Sequence, residues 1–257
     1  MSFFNQMLAS IGIGSAKVDT RLARANVRVG GALDGVVYIQ GGNAPQDISS
    51  IYLGLMTQYL KKQGDSTARV NTLVEKWDIS RPLTVQPGQR VEVPFSVQIP
   101  LYSPVSLGRT PIWLQTGLDI DNAVDPGDKD TLQILPHPSM EAVLEAVKGM
   151  GFSFKDSTCE YTAWGDWEMP FVQEIEFHPS SGFRGVKELE LVCFVNPHGV
   201  EVIVEVDRRA RGLAGVFAEA LDLNERKQRL NFSREALAGG PRHIAEQIAS
   251  VIERLAG

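Results

Sequence analysis

What this chain has little of narrows its function first. Cysteine is scarce: 2 in 257 residues, Cys159 and Cys193. That is too few for a disulfide framework, and their spacing does not suit a metal-ligand pair, so a reducing, cytoplasmic setting is expected. Histidine is also sparse, and His137, His178, His198 and His243 never stand four apart, as they would to turn two imidazoles toward one ion. Three of the four adjoin a proline and read as loop residues. There is no excess of positive charge: 25 Lys and Arg face 31 Asp and Glu, for a net −6. Nothing here attracts phosphate backbones or anionic lipid in general, which argues against nucleic acid as a partner. Long apolar runs are missing too. The opening MSFFNQMLASIGIG has no basic residue before Lys17, so neither a secretory signal nor a membrane span is expected, and the mature chain is expected to start where the sequence does. The glycines of GGNAP and GMGF lead no helix bearing Lys-Ser or Lys-Thr, which rules out a phosphate loop. No cofactor and no metal are expected.

What remains is a series of short strand patterns. Strands are expected at Lys17 to Leu22, Gly35 to Gln40, Ile51 to Tyr59 and Val70 to Val74, with Lys61 to Ala68 as a polar hairpin loop. Val91, Val93, Phe95, Val97 and Ile99 form an apolar row, and Pro94 within it argues for an edge position or a bulge. A proline-rich crossing from Pro100 to Pro111 follows. Ile112 to Asp121 and Asp130 to Ile134 then flank the turn sequence Asp125-Pro126-Gly127-Asp128. Regular spacing without long helical intervals predicts an all-β protein built from antiparallel sandwiches. Before the first strand, Phe3, Phe4, Met7, Leu8 and Ile11 fall near one face of a short helix.

Pro136, His137 and Pro138 mark a boundary, giving domains 1–135 and 136–257. Past it, Ser139 is expected to cap a helix carrying Val143, Leu144 and Val147. Strands follow at Ser153 to Tyr161, Phe171 to Phe177 and Lys187 to Val195. Then comes GVEVIVEVDRRARGLAG, in which Val200, Val202, Val204 and Val206 alternate with Glu201, Ile203, Glu205 and Asp207. Ala210 to Leu221 reads as helical. Pro241 opens a terminal helix whose Ile244, Ile248, Val251, Ile252 and Leu255 share a face, expected to bury against the second domain.

The residue types that carry chemistry have plainer explanations here. Cys193 shares a strand face with Leu189, Leu191 and Val195, the opposite of the electropositive setting that activates a thiol. Glu174 with Glu176, and Glu188 with Glu190, could divide acid and base roles if their pKa values were split. Alternating Glu and apolar residues are also what a half-solvated strand shows, and that is the expectation adopted. Two interaction candidates stand. The loop YTAWGDWEMPF crowds Trp164, Trp167 and Met169 together, either as an interface anchor or as a lid on its own domain. At the end of the valine strand, Asp207 is placed to brace Arg208 or Arg209, leaving Arg211 or another guanidinium for a carboxylate elsewhere.

The stretches MSFFNQMLASIGIGSAKVDT, GGNAPQDISSIYLGLMTQY, VPFSVQIPLYSPVS, IWLQTGLDIDNAVDPGDKDTLQILPHP, PFVQEIEFHP and VEVIVEVDRRARGLAG, in that order and spacing, resemble the bacterial sporulation-control protein M family over essentially the whole chain. The resemblance implies two β-sandwich domains of arrestin-like type with short accessory helices. It also implies a cytoplasmic regulator or scaffold that acts through an as yet unidentified protein partner and not as an enzyme. Edge strands of such sandwiches invite pairing between copies, so a homodimer is expected to be possible. Two alternatives are kept: a peripheral membrane adaptor docking through Phe3, Phe4 and Met7, and a hydrolase-type enzyme using the carboxylates near Asp207.

Overall fold

The computed structural model describes residues 15–120, 126–163, 169–180, 183, 185–207 and 227–256. Among them, 15–57, Thr72–Pro100 and Pro111–Ile134 form one compact unit. Gln58–Asn71, Leu101–Thr110 and 135–256 form the other. The expected helix over the first dozen residues and the one from Ala210 to Leu221 lie outside the described residues.

In the first unit, β-branched and aromatic residues at alternate positions build an antiparallel sheet of β1 (Lys17–Leu22), β3 (Ala32–Gln40) and β7 (Arg90–Gln98), with β3 in the middle. Leu33, Val37 and Ile39 of β3 are buried, as are Phe95 and Val97 of β7. Gly35 lets the sheet close: a Cβ there would lie 2.6 Å from Cζ of Phe95 and 2.8 Å from the Arg21 carbonyl. Pro94 sits exposed on β7, at the sheet's edge, where a missing N–H is tolerated. A short pair joins β2 (Asn26–Arg28) to β10 (Gln133–Leu135). The second sheet of this unit centres on β4 (Gln46–Gln63), which pairs with β5 (Ser66–Asp78), β6 (Leu83–Val85) and β8 (Ile112–Ile120). Beyond β8 lies β9 (Gly127–Thr131). The Thr20 and Thr116 hydroxyls meet at 2.6 Å in the buried space between β1 and β8.

One sequence expectation fails in this hairpin. Lys61 to Ala68 is not a loop: β4 runs through Gln63, β5 starts at Ser66, and only Gly64 and Asp65 turn, with Gly64 at φ 60°. Backbone pairing does not need apolar side chains, and a Gly-Asp turn at left-handed φ is enough to reverse the strand.

The second unit is an antiparallel sheet of β11 (Phe152–Tyr161), β12 (Phe171–Pro179), β13 (Glu188–Asn196), β14 (Gly199–Asp207) and β15 (Lys227–Ser233), in that spatial order. Glu160 of β11 also bridges to Leu60 in the hairpin tip. Three helices follow the strands' apolar side: α1 (Pro138–Gly149), α2 (Arg234–Ala238) and α3 (Pro241–Ala256). The stripe of α3, Ile244, Ile248, Val251 and Ile252, is fully buried, and α3 touches α1, α2, β14 and β15. The terminal helix therefore buries within its own unit. At about 1.5–3 kcal/mol per buried aliphatic side chain, these four are a large part of what holds it there.

The cap of α1 also differs from expectation. His137, not Ser139, is the N-cap: its Nδ1 accepts from the Ser139 backbone N–H at 3.2 Å and lies 2.6 Å from the Ser139 hydroxyl. Pro138 takes the first helical position and biases His137 to the extended conformation that a cap requires, shifting the start by two residues.

Candidate functional site

The valine row of β14 faces the apolar side: Val204 lies opposite Leu191, which lies opposite Ile175, and all are buried. Alternation then sends Glu201, Ile203, Glu205 and Asp207 to the other side of the sheet. The register stacks acids there. Asp156, Glu176, Glu190, Glu205 and Lys227 fall level across β11 to β15. On one side of that row Glu188 lies opposite Asp207. On the other, Glu174 is level with Val192, Ile203 and Arg229. Directly opposed side chains sit about 4.5–5.5 Å apart at Cβ, so like charges in such a row repel unless something neutralises them.

These carboxylates are not half-solvated, as the alternating pattern suggested. Relative exposure is 4% for Glu174, 7% for Glu176, 5% for Glu188, 1% for Glu205 and 4% for Asp207. They stand on β12, β13 and β14, the interior strands of the sheet. Val172, Val192 and Ile203, with Phe194 against them, form a small apolar cluster on this same face.

Three cations answer the acids. Lys155 follows Phe154 at a register shift in β11, a bulge that re-aims its side chain. Its Nζ reaches Glu176 and Glu188, each at 2.8 Å. Lys227 lies 3.4 Å from Glu205, with both side chains almost fully buried. Arg229 lies 3.4 Å from Glu201. At the margin, Arg109 pairs with Asp156 at 2.5 Å and its backbone N–H donates to the Ser157 carbonyl.

The remaining charge shows in the titration of the group. Burial, and then the charges of Glu205, Glu176, Asp207 and Glu188, push Glu190 up to about 8. Burial, then Glu190, Glu160, Glu205 and Glu176, hold Glu174 well above the usual carboxylate range. Glu160 is raised by burial against the opposing hydrogen bond from Thr158. For Lys155 burial acts downward, yet the hydrogen bonds to Glu176 and Glu188 with their charges outweigh it and the ammonium is raised. Within this face, one carboxylate oxygen each of Glu188, Glu190 and Asp207 lie within 4.8 Å of one another.

Of the interaction candidates, Asp207 ends β14 inside this acidic face, its carbonyl accepting from the Lys187 N–H at 2.8 Å. Met169 is half-buried at the foot of its loop, where the Thr162 N–H donates to the Pro170 carbonyl at 3.0 Å. Trp164, Trp167, Arg208, Arg209 and Arg211 lie outside the described residues. Phe171 belongs to the interior, with its ring stacked on Tyr59 at 6.1 Å. Lys155, Glu205 and Lys227 were not singled out from sequence. The usable signal was Glu recurring at alternate positions in three successive strand patterns.

The histidines and cysteines have structural surroundings. His137 caps α1, His178 Nδ1 lies 3.2 Å from the Lys187 carbonyl, and His243 lies 2.8 Å from the Gln247 amide. Cys159 is buried, and burial pushes the Cys193 thiol up to about 12. Among the described residues, no helix is long and apolar enough to cross a membrane.

Strands in two units with a few short helices define a mostly β protein, consistent with an arrestin-like sandwich. Its lineage is specific: the model of the SpoOM protein family matches residues 4–210, and the chain belongs to that family. It is 37% identical over 257 residues to the sporulation-control protein spo0M of Bacillus subtilis (strain 168), covering 99% of this chain and 98% of that one. The crystal structure of Spo0M from Bacillus subtilis superposes with a TM-score of 0.88 at 35% identity, covering 95% of this chain and 100% of that chain.

Proposed function

We propose that this protein is a non-enzymatic, cytoplasmic regulatory scaffold that acts by binding other proteins; its Bacillus relative is by name a sporulation-control protein. The observation that carries the reading is the end-to-end likeness: the match runs through both units and nearly the full length of each chain. The surroundings of the reactive side chains support it. Imidazoles occupied in capping and carbonyl contacts, and a thiol held near 12, are poor starting points for nucleophilic catalysis. In this account the partner is met by the loop carrying Trp164, Trp167 and Met169, with Arg208, Arg209 and Arg211 adding charge recognition beside Asp207.

Affinity capture of the tagged full chain from its native cytoplasm, followed by mass spectrometry, tests this. The expected result is a protein recovered with the wild type and depleted at least tenfold with the Trp164→Ala/Trp167→Ala double variant, whose melting is unchanged. Equal recovery by both chains would remove the loop from the account; recovery of nothing above background would remove the scaffold role.

A second reading, an acid–base hydrolase centred near Asp207, draws on one observation: Glu190 is pushed to about 8 beside other carboxylates, the kind of split that divides acid from base. Hydrolytic turnover that disappears in Glu190→Gln would favour it over the scaffold.

A further inference from the structure

We propose that Asp128 and Asp130 of β9 form a proton-operated latch: sharing one proton they hold the edge strand β1, and losing it they release that strand. β1 is bonded as a ladder along one edge only, to β3. Its other edge faces β9, and among the described residues no ladder joins the two. Side chains close this seam instead. The Thr20 N–H donates to Asp128 Oδ2 at 2.7 Å, and the Thr20 hydroxyl meets that of Thr116 at 2.6 Å. Both threonines are buried.

The register brings the two acids to the seam. Asp128 stands opposite Thr116 and Asp130 opposite Leu114 on β8, both of those residues buried, so the two carboxylates leave β9 on one side. Lys129 between them turns the other way, its ammonium 4.1 Å from the centre of the Trp113 ring. Both oxygens of Asp128 are in use: Oδ2 holds Thr20, and Oδ1 accepts from the Lys129 N–H at 2.8 Å. Asp130 lies within hydrogen-bond reach of Asp128, and its own Oδ2 is buried with no hydrogen-bond partner. Two ionised carboxylates only accept, so a proton is what turns their contact into a bond. Of the charged groups of β1, Lys17 is exposed and Arg21 is engaged by Asp19 at 3.0 Å and by the Tyr38 ring. The charges that act on Asp130 are those of Asp128 and Asp19, and no cation is among them. Once the proton is lost, three carboxylates repel one another across the seam and work against the Thr20 contact. Burial, then Asp128 and Asp19, place that loss at about 6, so the latch is closed in acid and weakened as pH rises through this value.

The test is amide hydrogen exchange of the full chain, read by NMR at pH 5 and pH 7.5, with each rate corrected for the intrinsic exchange rate at that pH. The Thr20 N–H points at Asp128, so its protection reports the seam and not the β1–β3 ladder. With the Asp130 pKa at about 6 when latched and 3.8 when released, Thr20 protection should fall about tenfold between the two pH values. At pH 7.5 it should lie well below that of Val37, a fully buried residue of the middle strand β3 that exchanges only on wider unfolding. In Asp130→Asn, whose amide donates to Asp128 at either pH, Thr20 protection should change by less than about twofold. Wild-type protection that is the same at both pH values overturns the proposal. So does an equal fall in Asp130→Asn, or exchange of Thr20 and Val37 together, which would make the opening global. Should Asp130→Asn lose its fold by circular dichroism, Asp128→Asn decides by the same loss of pH dependence.

Discussion

Replacing Lys155 by Met removes a cation that lies 2.8 Å from each of two carboxylates, Glu176 and Glu188, whose side chains are 9% and 7% exposed. Breaking a fully buried pair from one side costs about 3–5 kcal/mol, because the abandoned charge stays desolvated. Exposed pairs are worth about 1 kcal/mol or less. The Lys155 side chain is 26% exposed, which places the variant between these limits at roughly 2–3 kcal/mol. For a protein of this size that corresponds to a melting shift of roughly 5–10 °C. Calorimetry of the wild type and Lys155→Met at pH 7.5, in EDTA so that no metal takes the ammonium's place, reads it directly. The shift should persist in 0.5 M salt, since screening acts mainly on solvated pairs. The raised Lys155 pKa sets the pH window: its contribution is complete below the ordinary Lys value of 10.5 and is lost as pH rises through the higher folded value. The triple variant Lys155→Met/Glu176→Gln/Glu188→Gln should recover most of the loss, because neutral amides no longer need the ammonium. A single variant melting within 1 °C of wild type, or a triple variant as unstable as the single, would refute the reasoning.

In the first unit, burial and the nearby Asp128 and Asp19 push Asp130 from 3.8 up to about 6. The folded state thus holds this proton more tightly than the unfolded chain, and the associated stability is complete below about pH 4 and lost as pH rises through 6. Asp130→Asn, permanently neutral, should therefore be more stable than wild type by about 1–2 kcal/mol at pH 7.5, after discounting for partial exposure, and indistinguishable at pH 4 in urea unfolding. Ile248→Ala opens a cavity where α3 meets the sheet, at a residue with no exposure, and should cost about 2–5 kcal/mol by the same method. His137→Ala removes the α1 cap and should cost about 1 kcal/mol, whereas His137→Asp, which can also accept from the Ser139 N–H, should restore it; their melting temperatures compare the two.

The valine row of β14 was legible because period two and β-branching point the same way, and the stripe of α3 because 3.6-residue spacing leaves little choice. The acidic face was not. Glu alternating with Ile or Val reads the same whether the Glu side meets water or is buried. The difference arises between strands: only the pairing of Glu176 with Glu190, and of Glu190 with Glu205, reveals that the acids stack, and no single strand contains that register. Lys155 escaped notice for a related reason, since a bulge shifts it out of the alternation that would have placed it. The β4–β5 hairpin shows the reverse error: polar residues from Lys61 onward suggested a loop, although the Gly64-Asp65 turn was already in the sequence.

The scaffold account rests on equivalence to the Bacillus protein, so complementation is its most direct test. The chromosomal spo0M of Bacillus subtilis would be replaced by this chain at matched protein level, and heat-resistant spores counted. The account predicts spore counts equal to those of the parent strain. Counts equal to those of the deletion strain, with the chain present and folded, would contradict it.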